Sequence, residues 1–175
     1  MIPPETAEFR WGLIGYGDLA EKRVAAALRT AAGSRLVGIW GRDPARARSF
    51  ADRHQISQVH QTLESLLASD IVAVYVCTPP ASHAPYALAA IAAGKHVLVE
   101  KPMAVSVQEC EQMIAAANSA HVTLGVAFYR RAFPKMQRIR ALIREGLLGV
   151  PTWVNIVSHS WFNPPGDDPK HGRVP

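Results

Sequence analysis

The 175 residues are 49% apolar and 19% charged, with 12 glycines, 13 prolines, two cysteines and a net charge of +5. That length suits one domain burying roughly 70% of its unfolded-chain surface, and an ordinary apolar fraction with few charges excludes disorder as the main character of the chain. The most apolar unbroken run, Ile71–Cys77, is seven residues where a membrane span needs about 20, and the N-terminus MIPPETAEFR carries no secretion signal, so the expectation is a soluble, cytoplasmic protein.

Short apolar runs alternate with helix-period segments along the chain. Phe9–Ile14 reads as a strand, and Asp18–Ala31 as a helix with Leu19, Ala20, Val24, Ala27, Leu28 and Ala31 on one stripe. Arg35–Trp40 is a second strand, followed by a helix over Pro44–His54 with proline suitably placed in its first turn and Asp43 as its cap. A brief run near Val59 precedes a short helix, Leu63–Ala68. Ile71–Cys77 is rich in β-branched residues and apolar on both faces, as a central parallel strand should be. A helix over Pro85–Ala93 is stopped by Gly94, and strand His96–Val99 follows. Ser106 and Glu109 form a capping box opening a helix to about Ser119. Val122–Phe128 is another strand, and Phe133–Glu145 a helix ended by Gly146.

This alternation predicts an α/β fold, a doubly wound parallel sheet with right-handed helical crossovers. The rhythm breaks after Gly149. Thr152–Trp161 reads as a long strand apolar on both faces, and Asn163–Asp168 as a turn. The expected organisation is therefore a nucleotide-binding domain over residues 1–148 and, over 149–175, only the first strand of a second α+β domain.

Basic residues are scattered over several helices, with groups at Arg42–Arg53 and Arg130–Arg144, and do not interleave with aromatics, which argues against nucleic acid as a partner. No Cys/His spacing fits a metal site, and Cys77 and Cys110 read as reduced, buried side chains.

Gly15-Tyr16-Gly17-Asp18-Leu19-Ala20 fits G-x-G-x-x-G/A between the first strand and the first helix. Gly15 permits the tight turn, Gly17 lets a pyrophosphate approach the backbone, and Ala20 lets the helix pack on the sheet, while the helix N-terminus offers free amides to phosphate. An NAD site usually ends its second strand with an acidic residue; here that strand ends in Gly41-Arg42. Glycine leaves room there, and Arg42, with Arg46, can grip a 2′-phosphate, which predicts NADP(H) with NAD(H) as the lesser ligand; the other reading of Arg42 is a merely solvated side chain. Cys77-Thr78-Pro79-Pro80, with Ser82 and His83 behind it, stands at the carboxyl end of the central strand, where open α/β sheets bind ligands. Glu100-Lys101-Pro102 ends the next strand. Lys101 either hydrogen-bonds a substrate oxygen and stabilises its developing charge, or pairs with Glu100 at the surface.

The glycine turn, Thr78-Pro79-Pro80-Ala81-Ser82-His83 and Ala93-Gly94-Lys95-His96-Val97-Leu98-Val99-Glu100-Lys101-Pro102 resemble the Gfo/Idh/MocA oxidoreductases, over about residues 9–161. The resemblance implies an NAD(P)-dependent oxidoreductase acting on a sugar, polyol or related carbonyl compound by hydride transfer. It places the positions matching Thr78, Pro79 and His83 along the cofactor and those matching Glu100 and Lys101 at its nicotinamide end, with the lysine also touching substrate. Arg131-Ala132-Phe133-Pro134 is similar to the stretch where such chains turn toward their second domain, and the bond before Pro102 is a candidate cis peptide. Family chains are about twice this length, and their second domain supplies the substrate pocket, an oligomer interface and a catalytic histidine. His159 and His171 occupy no matching motif, so the chain reads as truncated, competent to bind nucleotide and not to turn over. The alternative from another class is a nucleotide-sensing or interaction module, a homo-oligomer paired through the Thr152–Trp161 strand, since an uncovered strand edge invites pairing.

Overall fold

The alternation of strand and helix resolves into one parallel sheet of six strands with helices on both faces. The computed structural model describes residues 8–157 and 159. The expected turn Asn163–Asp168, His171 and the end of the expected last strand at Trp161 lie outside them. The strands are β1 (Phe9–Ile14), β2 (Ser34–Trp40), β3 (Gln58–Val59), β4 (Ala73–Val76), β5 (His96–Val99) and β6 (Leu124–Val126). Their spatial order is β3-β2-β1-β4-β5-β6, every neighbouring pair parallel. This is the doubly wound Rossmann order, in which the chain reverses its direction of winding between β1 and β4 and opens a crevice at the carboxyl ends of the strands.

Helices α1 (Ala25–Thr30), α2 (Pro44–His54), α3 (Leu63–Leu67), α4 (His83–Ala92), α5 (Val107–Ser119) and α6 (Pro134–Arg144) connect or follow the strands. Alternate residues of β4 explain why both faces need cover. Val74 and Val76 pack with Ile14, Val97 and Val99 against Leu66, Ala87, Ile91 and Met113 of α3, α4 and α5. Tyr75 and Cys77 face the other cluster, with Leu13, Leu36 and Ile39 packed against Val24, Leu28 and Phe50. Each large aliphatic side chain buried in this way contributes about 1.5–3 kcal/mol.

The first helix departs from the expected stripe. It contains a π-helical turn, Ala20–Val24, ahead of α1. The wider turn retards the helical phase, so Ala20, Val24, Ala25 and Leu28 are buried, whereas Ala27 and Ala31 are exposed and Leu19 is 40% exposed. Caps were read more accurately. Asp43 accepts from the amides of Ala45 and Arg46 at 3.1 Å, and Pro44 opens α2. Ser106 accepts from the Glu109 amide, but the Glu109 carboxyl takes the amide of Val105 in place of Ser106, so the expected box is half formed. The reciprocal box belongs to Thr62 and Ser65 at the start of α3. Gly94 and Gly146, at φ of +70° and +71°, stop their helices as expected.

The chain divides into two compact units, Met1–Tyr129 and Arg130–Pro175. The unit holding the sheet thus ends at Tyr129, before the boundary at 148 drawn from the sequence, and α6 belongs to the second unit. Residues 152–157 form no strand, which corrects the expected strand Thr152–Trp161 over its described part. Alternating apolar residues make a strand only where a partner supplies hydrogen bonds, and no described residue pairs with them. Among the described residues no helix is long and apolar enough to cross a membrane.

Candidate functional site

The register of the sheet sets the site. Ile14 is aligned with Trp40 and with Val76, and Val76 with Val99, so the residues that follow them, Gly15, Gly41, Cys77 and Glu100, leave the sheet from one edge. The ladder continues through these residues: Gly15 donates its amide to Trp40 O at 2.9 Å, Cys77 to Ile14 O at 2.8 Å, Glu100 to Val76 O at 3.0 Å and Ala127 to Val99 O at 2.8 Å. Segments spread from Gly15 to Ala127 in the chain are thereby brought to one rim.

Gly15 has φ +89°, and a Cβ there would stand 2.7 Å from Thr78 Cγ2 and 2.8 Å from Cys77 O. The glycine serves the turn and also the close approach of the β4 loop. A Cβ on Gly17 would meet no atom within 4 Å, so its backbone faces open space, as a pyrophosphate cradle requires, and Ala20 is fully buried against the sheet. Asp18 and Leu19 are exposed at the start of the first helix. These features fit a dinucleotide.

Gly41 differs from expectation. It does not leave a vacancy, because a Cβ there would stand 2.8 Å from Tyr16 Cζ and nearer still to its Cε1. The Tyr16 hydroxyl donates to Asp43 O at 2.5 Å and accepts from Asp43 N at 2.9 Å, and the Arg46 guanidinium lies 5.9 Å from the ring centroid. Arg42 and Arg46 are both exposed beside this loop. A cleft of about 520 Å³ runs between Tyr16, Gly17 and Asp18 on one side and Arg46 and Ser49 on the other. Glu21 and Arg53 also line it: Arg53 donates to both oxygens of Glu21 at 3.1 and 2.8 Å, and His54 Nε2 lies 3.0 Å from Glu21 Oε1. The Arg53 hydrogen bond, above all, holds the Glu21 carboxyl below the usual carboxylate range. This tie between the first helix and α2 went unread in the sequence, since nothing local pairs positions 21, 53 and 54.

On the other side of the crevice, His83 is 1% exposed and bridges two loops, its Nδ1 2.8 Å from Pro102 O and its Nε2 2.8 Å from Thr78 O. Ser82 Oγ lies 2.9 Å from Thr78 Oγ1 and 2.8 Å from Pro79 O, while Pro79 and Pro80 are exposed along the lip. The Lys101–Pro102 bond is cis, as the motif suggested.

Glu100 is 5% exposed, and its carboxyl accepts from the Tyr75 hydroxyl at 2.7 Å and from the Lys101 amide at 3.1 Å. Burial, and then this bond to Glu100, pushes the Tyr75 phenol far up, so it stays a donor. The surface pairing of Lys101 with Glu100 is not what forms. The carboxyl is turned inward, and the exposed Lys101 ammonium makes no ion pair among the described residues. Tyr75 is the participant that sequence reasoning missed, because its period-2 position in an apolar strand reads as core.

Burial, with the Glu100 charge adding to it, pushes the Cys77 thiol up to about 12, so near neutral pH it stays protonated and unreactive as a nucleophile. Both cysteines are free; Cys77 is buried as expected, Cys110 only half-buried. Arg131 lies in the second unit on a 3₁₀ turn, Tyr129–Ala132, its carbonyl accepting from Gln137 Nε2. His159 is exposed. Among the described residues no three His, Cys, Asp or Glu side chains gather as a metal would need.

Comparison with known proteins places these observations. Residues 9–128 match the NAD-binding Rossmann-fold domain of the Gfo/Idh/MocA oxidoreductases. The 1,5-anhydro-D-fructose reductase of Ensifer adhaerens is 36% identical over 157 residues, 89% of this chain and 46% of that one. Oxidoreductase P35 of Formosa agariphila is 35% identical over 144 residues, 82% of this chain and 45% of that one. Among solved structures, KijD10, a 3-ketoreductase from Actinomadura kijaniata in complex with TDP-benzene and NADP, superimposes with a TM-score of 0.73 at 31% identity, over 79% of this chain and 44% of that one. The chain therefore spans less than half the length of these relatives.

Proposed function

From the premise that the chain belongs to the Gfo/Idh/MocA oxidoreductase family, we propose that it binds NADP(H) in preference to NAD(H), as the nucleotide-binding part of an enzyme reducing or oxidising a sugar, polyol or related carbonyl compound. The observation that carries this reading is the shared rim, where one sheet register presents the glycine turn, the Gly41-Arg42 step, the Thr78-Pro79 step and Glu100-Lys101 to one crevice.

In this reading the backbone at Gly15–Ala20 takes the pyrophosphate, with the first-helix amides and partial positive charge facing it. Gly41, Arg42 and Arg46 take the adenosine end, the guanidiniums holding a 2′-phosphate by charge-assisted bonds. Cys77, Thr78, Pro79, Pro80, His83, Glu100 and Pro102 line the remainder. Hydride transfer is the chemistry a bound nicotinamide supplies. Lys101, free of Glu100, donates a hydrogen bond to the substrate oxygen and stabilises the negative charge that grows there. Glu100, held by Tyr75, fixes the backbone from which that ammonium projects. Hydride transfer also needs a substrate held at near-attack distance to the nicotinamide, and nucleotide binding is the part of that activity which this rim supports.

Calorimetric titration tests the cofactor assignment. NADPH should bind more tightly than NADH, and Arg42→Ala should weaken NADPH about tenfold or more while leaving NADH unchanged, a loss of about 1.5–3 kcal/mol for a charged hydrogen bond. Equal binding of both nucleotides, with Arg42→Ala silent, overturns it.

Self-association belongs to the same proposal. Trp153 is 78% exposed and Val154, Ile156 and Val157 are exposed beside it, an apolar surface that water disfavours. Light scattering should give a dimer mass for the full chain and a monomer mass for residues 1–149. Two monomer masses remove the case.

A further inference from the structure

Resting on that cofactor reading, we propose that Tyr16 is the specificity-determining residue of the adenosine end, acting as a wedge that bars a carboxylate from position 41 and fixes the loop carrying the phosphate-binding arginines. An NAD-type site needs an acidic side chain at the end of β2 to accept from the ribose hydroxyls. Here the volume that such a side chain would enter is occupied by the Tyr16 ring: a Cβ at position 41 would stand 2.8 Å from Tyr16 Cζ and nearer still to Cε1, so the ring must shift before any side chain fits.

The ring is not free to swing aside. Its hydroxyl is bonded to both the carbonyl and the amide of Asp43, the ring packs on Phe50 at a tilt of 40° with centroids 5.9 Å apart, and the Arg46 guanidinium covers it. Asp43 is also the cap of α2, accepting from the Arg46 amide at 3.1 Å. One side chain thus couples three things: the exclusion of a side chain at 41, the course of the loop through Arg42, and the placement of the first turn of α2 with Arg46. Gly41 is glycine because residue 16 is tyrosine. Preference is therefore a property of the pair 16/41, and neither position sets it alone.

A double-mutant cycle read by calorimetric titration with NADPH and NADH tests this, with thermal melts to confirm folding. Gly41→Asp alone should weaken both nucleotides by about tenfold or more, because the introduced side chain must expel the ring and unseat the loop. Gly41→Asp combined with Tyr16→Ala should bind NADH at least about tenfold more tightly than Gly41→Asp does, and should prefer NADH over NADPH, as one charge-assisted bond to the ribose allows. If Gly41→Asp alone gains NADH as fully as the double variant, or if the double variant still prefers NADPH, the wedge is wrong. Tyr16→Phe, which keeps the ring and removes only the two Asp43 bonds, guards against a loss of fold. It should weaken NADPH about threefold to tenfold and NADH less, and unchanged NADPH binding overturns the loop-fixing role. A native chain that binds neither nucleotide, or both equally, fails the cofactor reading itself and takes the inference with it. Native selectivity with strictly additive variants overturns the inference alone.

Discussion

Gly15→Val is expected to cost about 2–6 kcal/mol of stability and to abolish nucleotide binding. Two terms add. The residue sits at φ +89°, where a β-branched side chain is strained by about 1–3 kcal/mol. Its Cβ would stand 2.7 Å from Thr78 Cγ2 and 2.8 Å from the Cys77 carbonyl oxygen. The second contact is with backbone that is itself bonded into the ladder, so it cannot yield cheaply, and overpacking of this kind costs about 1–3 kcal/mol more. Against a total stability of about 5–15 kcal/mol the variant is marginal. Gly17→Ala is the informative partner. Its Cβ meets nothing within 4 Å, so urea unfolding should match the native chain while nucleotide affinity falls, because the methyl group occupies the face that a pyrophosphate must approach. If Gly17→Ala binds nucleotide normally, the cradle lies elsewhere; if Gly15→Val folds and binds normally, the close approach of the β4 loop is unimportant.

His83→Ala is expected to cost about 2–4 kcal/mol and to weaken nucleotide binding on both sides of the crevice at once. The ring is 1% exposed, and its removal leaves a cavity where it stood. It also removes the bridge from Thr78 O to Pro102 O, one bond from each ring nitrogen at 2.8 Å. Both neighbours are carbonyl oxygens, which only accept. A neutral ring can donate to one of them, and only a doubly protonated ring donates to both. His83→Gln separates packing from bridging, since the amide restores a donor to one carbonyl and some of the volume; it should recover part of the stability and little of the affinity. Denaturant midpoints alongside nucleotide titrations read both quantities. A His83→Ala variant with native affinity would show that the two loops hold their positions without the bridge.

How far the sequence was legible depends on range. The doubly wound parallel sheet followed from alternation, because parallel strands joined by helices have few other arrangements, and the rim followed because parallel register carries strand ends to one edge. Asp43 was read correctly as a cap, since a cap acts over two or three residues. Two of the misreadings are of contacts between distant positions. Tyr16 fills the space beside Gly41, and Tyr75 holds Glu100, 25 residues away, through pairings that no local pattern encodes. The π-helical turn at Ala20–Val24 shifted the buried stripe by one residue against a period of 3.6. The capping box at Thr62 was missed because Ser65 stands where glutamate or glutamine is usual. Residues 152–157 show the converse failure, an alternating pattern that forms no strand among the described residues.

The ladder bonds that run one residue past the strands have a consequence for how such a crevice can diversify. Because Gly15, Cys77, Glu100 and Ala127 are each stitched to a neighbouring strand by a backbone bond, the loops start from anchored points whatever side chains follow them. On the proposed assignments, a change at residues 16, 41 and 42 would alter the nucleotide grip without moving the anchored start of the Lys101 loop. Cofactor preference would then be able to vary in different lineages on one unaltered sheet.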